Sequence, residues 1–574
     1  MDQLFKISLL WKFLDKGRKI QLFAVLLLIF FSSLAEISSI AIIVPYISIL
    51  SDIETFRIDY PLFMAWIDSI DSFEPQFVIT TVFVFLVLVA ALIKLIYIRS
   101  SILVAHGIGR DLSRLCYSNL ISQELEFFQV NNSSELFNTV LKRTTEVVGQ
   151  IIVPVLSILS TLIFIVAVVL GLIYMGQMVS ILALVLIGVC YLVVGIFVKQ
   201  ALLKKSIEIG ENGTTVIHYL NVGISGIREI ILSSSRSFFI DKYGAADENL
   251  RRAQAEVQIV GQYPRSIVEG LAIATLLIVT FVSSRNGVSD VAGLSVLALL
   301  AMTGHKLLPL IQQSFMGWTT MKGGSVALNF VLKILALDKF NDVSEDAGDD
   351  FSTLELVDVT YRYPNADKDT LLNINLVINK GDRLGVKGKS GSGKSTLLDI
   401  ISGLKMPTSG SIKVNGRTLN LTSTDSIRRY VGLLSQGTYL MKGSIVENVA
   451  FGVDTDSVDI EKVSSSIDQS QSREFIRNDN IFSFEGVSEN GGNLSGGQKQ
   501  RLGIARALYF DKDVLLFDEA TSALDNETEQ EVIKAIERLD KSKTIIVSAH
   551  RLTTLDTCDR IIEMSEGQLI SNDE

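Results

Sequence analysis

Residues 388–396 read Gly-Lys-Ser-Gly-Ser-Gly-Lys-Ser-Thr, after the apolar run Leu384–Lys387 and before the helical start Leu397-Leu398. Glycines here let backbone amides curl around phosphate oxygens, and the helix that follows directs its N-terminus at them. Lys394 and Ser395 supply a cation and a magnesium ligand. Gly388, Ser390, Gly391, Gly393, Lys394, Ser395 and Thr396 are therefore candidate nucleotide contacts. A second apolar run, Val514–Phe517, ends in Asp518-Glu519. That pair offers one carboxylate for magnesium and one to orient and polarise an attacking water.

These groups need a sheet and helix N-termini to hold them. From about residue 350 the chain supplies short β-rich runs (Leu354–Thr360, Leu384–Lys387, Tyr430–Leu434, Val514–Phe517, Thr544–Ser548) alternating with helical patterns. Such alternation predicts an α/β P-loop domain built around a partly parallel sheet.

The first part of the chain has another texture. Over all 574 residues the apolar share is 48% and the charged share 20%, both close to ordinary, yet the mean hydropathy is +0.39. Two unlike parts are being averaged. Long apolar runs occur only before about residue 320, at 20–50, 77–98, 150–174, 178–200, 264–283 and 290–318. Each is long enough to cross a hydrocarbon core of roughly 30 Å, so six membrane helices are expected. The first follows Lys16, Arg18 and Lys19 as a signal peptide would, but runs far past an h-region of about 7–15 residues. Before it, Leu4, Ile7, Trp11 and Leu14 recur at helical spacing among lysines, as in a helix lying in the interface.

Lys and Arg cluster at the N-terminus and in 99–149 and 201–263, which are expected in the cytoplasm, whereas acidic 51–76 is expected outside. In that outer segment Leu62, Phe63, Trp66, Ile67 and Ile70 form an amphipathic stripe, suited to the outer leaflet or to the ends of the bundle. The division expected is 1–330 for an α-helical membrane domain, 331–349 for an acidic linker and 350–574 for the nucleotide-binding domain. Three dispersed cysteines suggest no zinc or disulfide framework. A net charge of −10 gives no basic footprint for nucleic acid.

With the P-loop and acidic pair in hand, Leu494-Ser495-Gly496-Gly497-Gln498 resembles the signature motif of ATP-binding cassette (ABC) transporters. Tyr363 matches the aromatic that stacks on adenine, Gln436 the glutamine that senses magnesium and the membrane domain, and Asp525 closes a run like the loop that crosses between paired cassettes. His550 matches the histidine on the γ-phosphate. The resemblance implies an exporter-type fold using ATP and Mg2+, with Glu519, His550 and Gln436 catalytic, and Ser395, Gln436 and Asp518 around the metal. It also implies that Ser495, Gly496, Gly497 and Gln498 close over the nucleotide of another cassette. One chain carries one of each, so a homodimer is expected, with cytoplasmic hairpins near 125–140 and 215–230 carrying motion to the membrane. Ser435, where proline is frequent, and Val487-Ser488-Glu489, where Val-Gly-Glu is common, depart from the pattern without removing a catalytic group.

Cargo evidence lies in the membrane half. Lys94, Arg265 and Lys306 sit in or at the edge of apolar spans, where charge is costly. Counting about 1.5 Å per residue from the span ends puts all three toward the cytoplasmic leaflet, where they suit an anionic head group. The competing reading is that they snorkel to water, with Arg265 neutralised by Glu269. Glu36, deep in the first span, calls for a basic partner on another helix. The runs 35–45, Tyr263–Gly270 and His305–Pro309 resemble the membrane domain of lipid-linked oligosaccharide flippases (PglK type). That resemblance implies a multi-pass inner-membrane flippase with a cytoplasmic ATP-binding domain, moving a polyprenyl-pyrophosphate-linked glycan to the outer leaflet. The alternative on the same scaffold is an exporter of another lipid, drug or peptide.

Overall fold

The computed structural model describes residues 2–42, 75–131, 133–174, 178–285, 291–338, 350–364, 366–419, 425–435, 437–476, 486–519, 526–549 and 555–570, with isolated positions at 46, 57, 61 and 65. The expected outer amphipathic helix and most of the linker lie outside these residues. The chain separates into two units, Met1–Ile121 with Asn131–Asp338, and Ser122–Val130 with Lys339–Glu574. A single cut along the sequence does not reproduce this division, because one short segment near residue 125 belongs with the second unit.

The first unit is helical. Helix α1 (Asp2–Phe13) is followed by α2 (Lys16–Ala41) and α3 (Pro75–Ile121). The short α4 (Leu125–Val130) falls in the second unit. A helical run from 133 contains π-helical turns at Thr139–Arg143 and Val148–Ile152 and continues as α5 (Val153–Tyr174). Then come α6 (Met178–Ser225), α7 (Ile227–Leu232), α8 (Arg236–Arg285), α9 (Val291–Gly323) and α10 (Ser325–Leu335).

Helix α3 has 47 residues, about 70 Å at 1.5 Å per residue, more than twice a hydrocarbon core. Helices α6 and α8, of 48 and 50 residues, are as long, so the apolar spans are parts of longer rods. Pro264 falls inside α8. Among the described residues, three helices are long and apolar enough to cross a membrane, within Lys16–Ala41, Gln76–Ile121 and Glu135–Gly171. Phe85, Leu88, Leu92 and Leu95 of α3 recur at helical spacing and are exposed, as a lipid-facing row would be. Inside, Val25 and Ile29 of α2 pack with Ala105 of α3 and Leu156 of α5. Helix α10 buries Ala327, Leu328, Val331, Ile334 and Leu335, a stripe at helical period. Asn119 donates to the carbonyls of Ile334 and Leu335, satisfying the end of that helix.

The second unit holds two sheets. One is four-stranded and antiparallel in the order β2-β1-β4-β5, from β1 (Thr353–Tyr361), β2 (Leu371–Asn379), β4 (Ser409–Val414) and β5 (Arg417–Thr418). The other has the order β10-β9-β3-β8-β7-β6. Its strands are β3 (Arg383–Gly388), β6 (Val431–Leu434), β7 (Val514–Asp518), β8 (Thr544–Ser548), β9 (Arg560–Ser565) and β10 (Gln568–Ile570). All neighbours in it are parallel except β10 with β9. Strand β7, Val-Leu-Leu-Phe-Asp, is buried through its four apolar residues, as a central parallel strand covered on both faces must be. Two helices complete the site: α11 (Lys394–Ile401) after β3, and α12 (Gly496–Tyr509), which packs with Ile445, Val449, Val463 and Ile467.

Candidate functional site

Adjacent parallel strands β3, β8 and β7 bring their carboxyl ends together, where sheets of this kind bind ligands. Gly388 closes β3, and Gly393, at φ +102°, starts α11. A Cβ on Gly393 would lie 2.9 Å from the Leu371 side chain and 3.0 Å from the Thr370 carbonyl, so neither the conformation nor the space admits another residue. The Lys394 side chain is 4% exposed, and its ammonium donates to the carbonyls of Gly388 (2.9 Å) and Lys389 (3.2 Å). It lies 3.8 Å from a Glu519 carboxylate oxygen. Ser390, Gly391 and Ser395 are exposed, whereas Ser392 is buried and its hydroxyl has no partner among the described residues. A loop with an unsatisfied inward hydroxyl, exposed serines and a central ammonium fits a phosphate chain.

Asp518 ends β7 and accepts a hydrogen bond from the Ser548 hydroxyl at 3.0 Å. Glu519 follows at φ +48°, a conformation that non-glycine residues seldom adopt, and its N–H donates to the Ser548 carbonyl at 3.0 Å. Strand β8 thus holds both halves of the acidic pair, turning Glu519 toward Lys394. Such local strain is characteristic of working sites.

Tyr363 is half-buried, and its hydroxyl is 3.2 Å from Thr396 Oγ1 on α11. It also accepts a hydrogen bond from Lys405 Nζ at 2.7 Å. Lys405 is buried and pairs with Asp399 at 3.0 Å, its ammonium 4.3 Å from the Tyr363 ring centre. Burial opposes its charge, yet the tyrosine oxygen and the Asp399 carboxylate together raise its pKa. Lys405 belongs to none of the motifs and was not identifiable as part of the site. The signature motif is also a helix start: Ser495 Oγ accepts from Gln498 N–H, and Gln498 Oε1 accepts from Ser495 N–H. This capping box leaves Ser495 and Gly496 exposed. The spacing Ser-x-x-Gln is the signal for it. Gln436, Asp525 and His550 lie outside the described residues.

In the first unit Glu36 meets Lys94 at 2.6 Å, their side chains 9% and 42% exposed, so Lys94 is the partner that Glu36 requires. Lys306 donates to Ser39 Oγ, one turn along α2, at 3.3 Å. The contact sets Glu36 and Lys94 at one level of the packed helices α2 and α3. A cavity of about 170 Å3 beside the pair is lined by Ser32, Ser33, Ser101, Ser157, Thr161 and Gln313 among others. The Arg265 side chain is outside the described set.

Residues 21–303 match the family described as the ABC transporter transmembrane region, and residues 371–522 match the ABC transporter family. The chain is 26% identical over 480 residues to an ATP-dependent lipid A-core flippase of Ralstonia nicotianae, covering 82% of this chain and 79% of that protein. It is 32% identical over 369 residues to the alpha-hemolysin translocation ATP-binding protein HlyB of Escherichia coli O157:H7, over 57% of this chain and 52% of that one. In fold it is similar to a bacterial Atm1-family ABC exporter solved with ATP bound, with a TM-score of 0.77 and 19% identity over 97% of this chain and 95% of the other.

Proposed function

Because this chain belongs to the ABC transporters, joining an exporter-type membrane region to one ATP-hydrolysing cassette, we propose that it works as a homodimeric flippase of the inner membrane. Its cargo in this reading is an amphipathic lipid with an anionic, glycosylated head, moved from the cytoplasmic to the outer leaflet. Lipid-linked oligosaccharide is the form that the membrane motifs favour. A second reading, a glycolipid of the lipid A type, is favoured by the relatives' names.

One observation carries the cargo reading. Lys94 and its partner Glu36 line a cavity that also carries several serine and threonine hydroxyls, and Lys306 reaches Ser39 one turn along α2 from Glu36. Among the described residues, two ammoniums against one carboxylate leave net positive charge among apolar helices, which suits a phosphorylated head and disfavours a neutral or cationic drug.

At the cassette, Lys394 and the loop amides hold the phosphates, Tyr363 stacks on the base, and Glu519 orients and polarises the attacking water. His550 contacts the γ-phosphate. Ser395, Gln436 and Asp518 would hold Mg2+, which neutralises phosphate charge when bound. Ser495, Gly496, Gly497, Gln498 and Asp525 act across the interface with the second copy, and the ATP-binding domain faces the cytoplasm.

The test is flipping in proteoliposomes, comparing wild type with Glu519→Gln, with a fluorescent lipid-linked oligosaccharide in one arm and a fluorescent lipid A-type glycolipid in the other. The reading predicts ATP-dependent flipping of the first by wild type only. Faster flipping of the second transfers the assignment to it, and flipping of neither above the variant's rate overturns a glycolipid cargo.

A further inference from the structure

Tyr361, two residues before the base-stacking tyrosine, is 1% exposed and ends β1. Its hydroxyl cannot reach water and finds its acceptor outside the sheet, on the carboxylate of Glu126 in α4. Burial, and then the Glu126 carboxylate, push the phenol's pKa up, so it stays a donor at any physiological pH. Glu124, just before α4, has its own pKa raised by burial and by Glu126, so this segment brings two carboxylates into the packing of the second unit. Such groups are costly to bury without a partner, and Tyr361 is the partner that a hydrogen-bond donor at this place supplies.

The contact is continuous with the nucleotide site. The Tyr361 and Tyr363 rings meet edge to face, 5.1 Å between centres at 81°. The Lys405 ammonium lies 4.3 Å from the centre of the Tyr363 ring and 5.6 Å from that of Tyr361. A purine laid on Tyr363 must share that ring with the ammonium, and any tilt it imposes meets the edge of Tyr361. Tyr361 is 1% exposed and belongs to the close-packed core of this unit, so its ring has little room to absorb movement. The displacement has one polar outlet, the hydroxyl on Glu126.

We propose that Tyr361 and Glu126 are positioning residues through which α4 reads the base of the bound nucleotide, so that the purine on Tyr363, and not the phosphate chain alone, sets how α4 is held. The proposal rests on the reading of Tyr363 as the base-stacking residue. It separates two signals within one ligand. Phosphates act on the 388–396 loop and on Lys394, whereas the base acts on α4 through the tyrosine pair.

The experiment is deuterium uptake by the full-length protein in lipid nanodiscs, with Glu519→Gln present throughout to hold the nucleotide. Peptides over 388–396 and 122–130 are followed with Mg-ATP and with Mg-tripolyphosphate, each at a concentration that protects 388–396 equally. ATP is expected to change exchange in 122–130 on the order of tenfold, the scale of one charge-assisted hydrogen bond, and tripolyphosphate to leave it unchanged. Tyr361→Phe and Glu126→Ala should lose the response in 122–130 while 388–396 stays protected. Glu126→Gln, still an acceptor, should keep it, which a merely adhesive charge would not. An undiminished ATP response in Tyr361→Phe or Glu126→Ala, or an equal response to tripolyphosphate, overturns the proposal. Failure of ATP to protect 388–396 in the reference protein would overturn the nucleotide reading on which it rests.

Discussion

Each unit pairs a lysine with a carboxylate, with one partner buried in each, and the two pairs are built differently. In the cassette, Lys405 and Asp399 lie close together in sequence, joined through the end of α11, and the pair braces a tyrosine. In the helical unit, Glu36 of α2 and Lys94 of α3 come from helices far apart in sequence and line a cavity. The first arrangement follows from local chain geometry and fixes one side chain. The second exists only when two helices pack in one register, so it can answer to a change in helix packing. A site that must hold a nucleotide and a site that must release cargo call for these two kinds of construction.

The contrast is sharpest at Glu519. Glu519→Gln should lower ATP hydrolysis by a factor of about 100 to 10,000, the usual contribution of a positioned base, with nucleotide affinity within about threefold. Steady-state phosphate release and equilibrium binding of a labelled nucleotide measure the two. Undiminished turnover would remove Glu519 from the chemistry and leave the cassette no better defined than the membrane site.

The asymmetry explains what was legible. A phosphate loop is one strand, one turn and one helix N-terminus, so Gly388 to Thr396 carry the whole device in contiguous sequence. The pair Asp518-Glu519 was equally plain, because a parallel strand buried on both faces reads as an unbroken apolar run. The strands read around them were found where their β-rich runs placed them. Lys405 was not legible, since a lone lysine after a helix carries no motif; only its contact with Tyr363 gives it meaning. The membrane half was readable as rods but not in register. Apolar periodicity says that a helix spans a bilayer, yet it does not say which level of α2 faces which level of α3, and the Glu36–Lys94 contact had to come from the packing. The place of α4 with the second unit is marked by no composition shift, and only the family resemblance, with its hairpin expected near 125–140, points to it.

The membrane pair can be tested against that account. Glu36→Gln leaves Lys94 unpaired among apolar helices. It should destabilise the protein in nanodiscs by about 1–2 kcal/mol, less than the 3–5 kcal/mol of a fully buried broken pair because Lys94 is partly exposed. Lys94→Gln alone should cost a similar amount, and the double variant about as much as either single one. Thermal unfolding of the four proteins gives the coupling. Strict additivity would mean that the two side chains act independently and that the contrast with the cassette is false.

Lys306 should behave otherwise, because its contact is a neutral hydroxyl. Lys306→Met is expected to lower flipping of an anionic glycolipid about fivefold, the loss of one partly solvated charge contact, with basal ATP hydrolysis within about twofold. Equal loss of both activities would assign it to the packing of α9 on α2 and remove it from the cargo site.

The smallest effect is expected at Lys405, and it decides whether the cassette pair serves the nucleotide or only the fold. The ammonium holds the Tyr363 hydroxyl and lies against its ring, so Lys405→Met keeps the buried stem's volume while releasing the tyrosine. If Tyr363 is presented to the base by this contact, KM for ATP should rise about threefold, the worth of one ring-orienting interaction, with kcat within about twofold. The change also strands Asp399, whose pKa burial already raises, so some loss of stability is expected as well and does not discriminate. The discriminating measurement sets ATP against tripolyphosphate hydrolysis in the same variant. A fold defect would weaken both, whereas loosening Tyr363 can weaken only the ligand that carries a base.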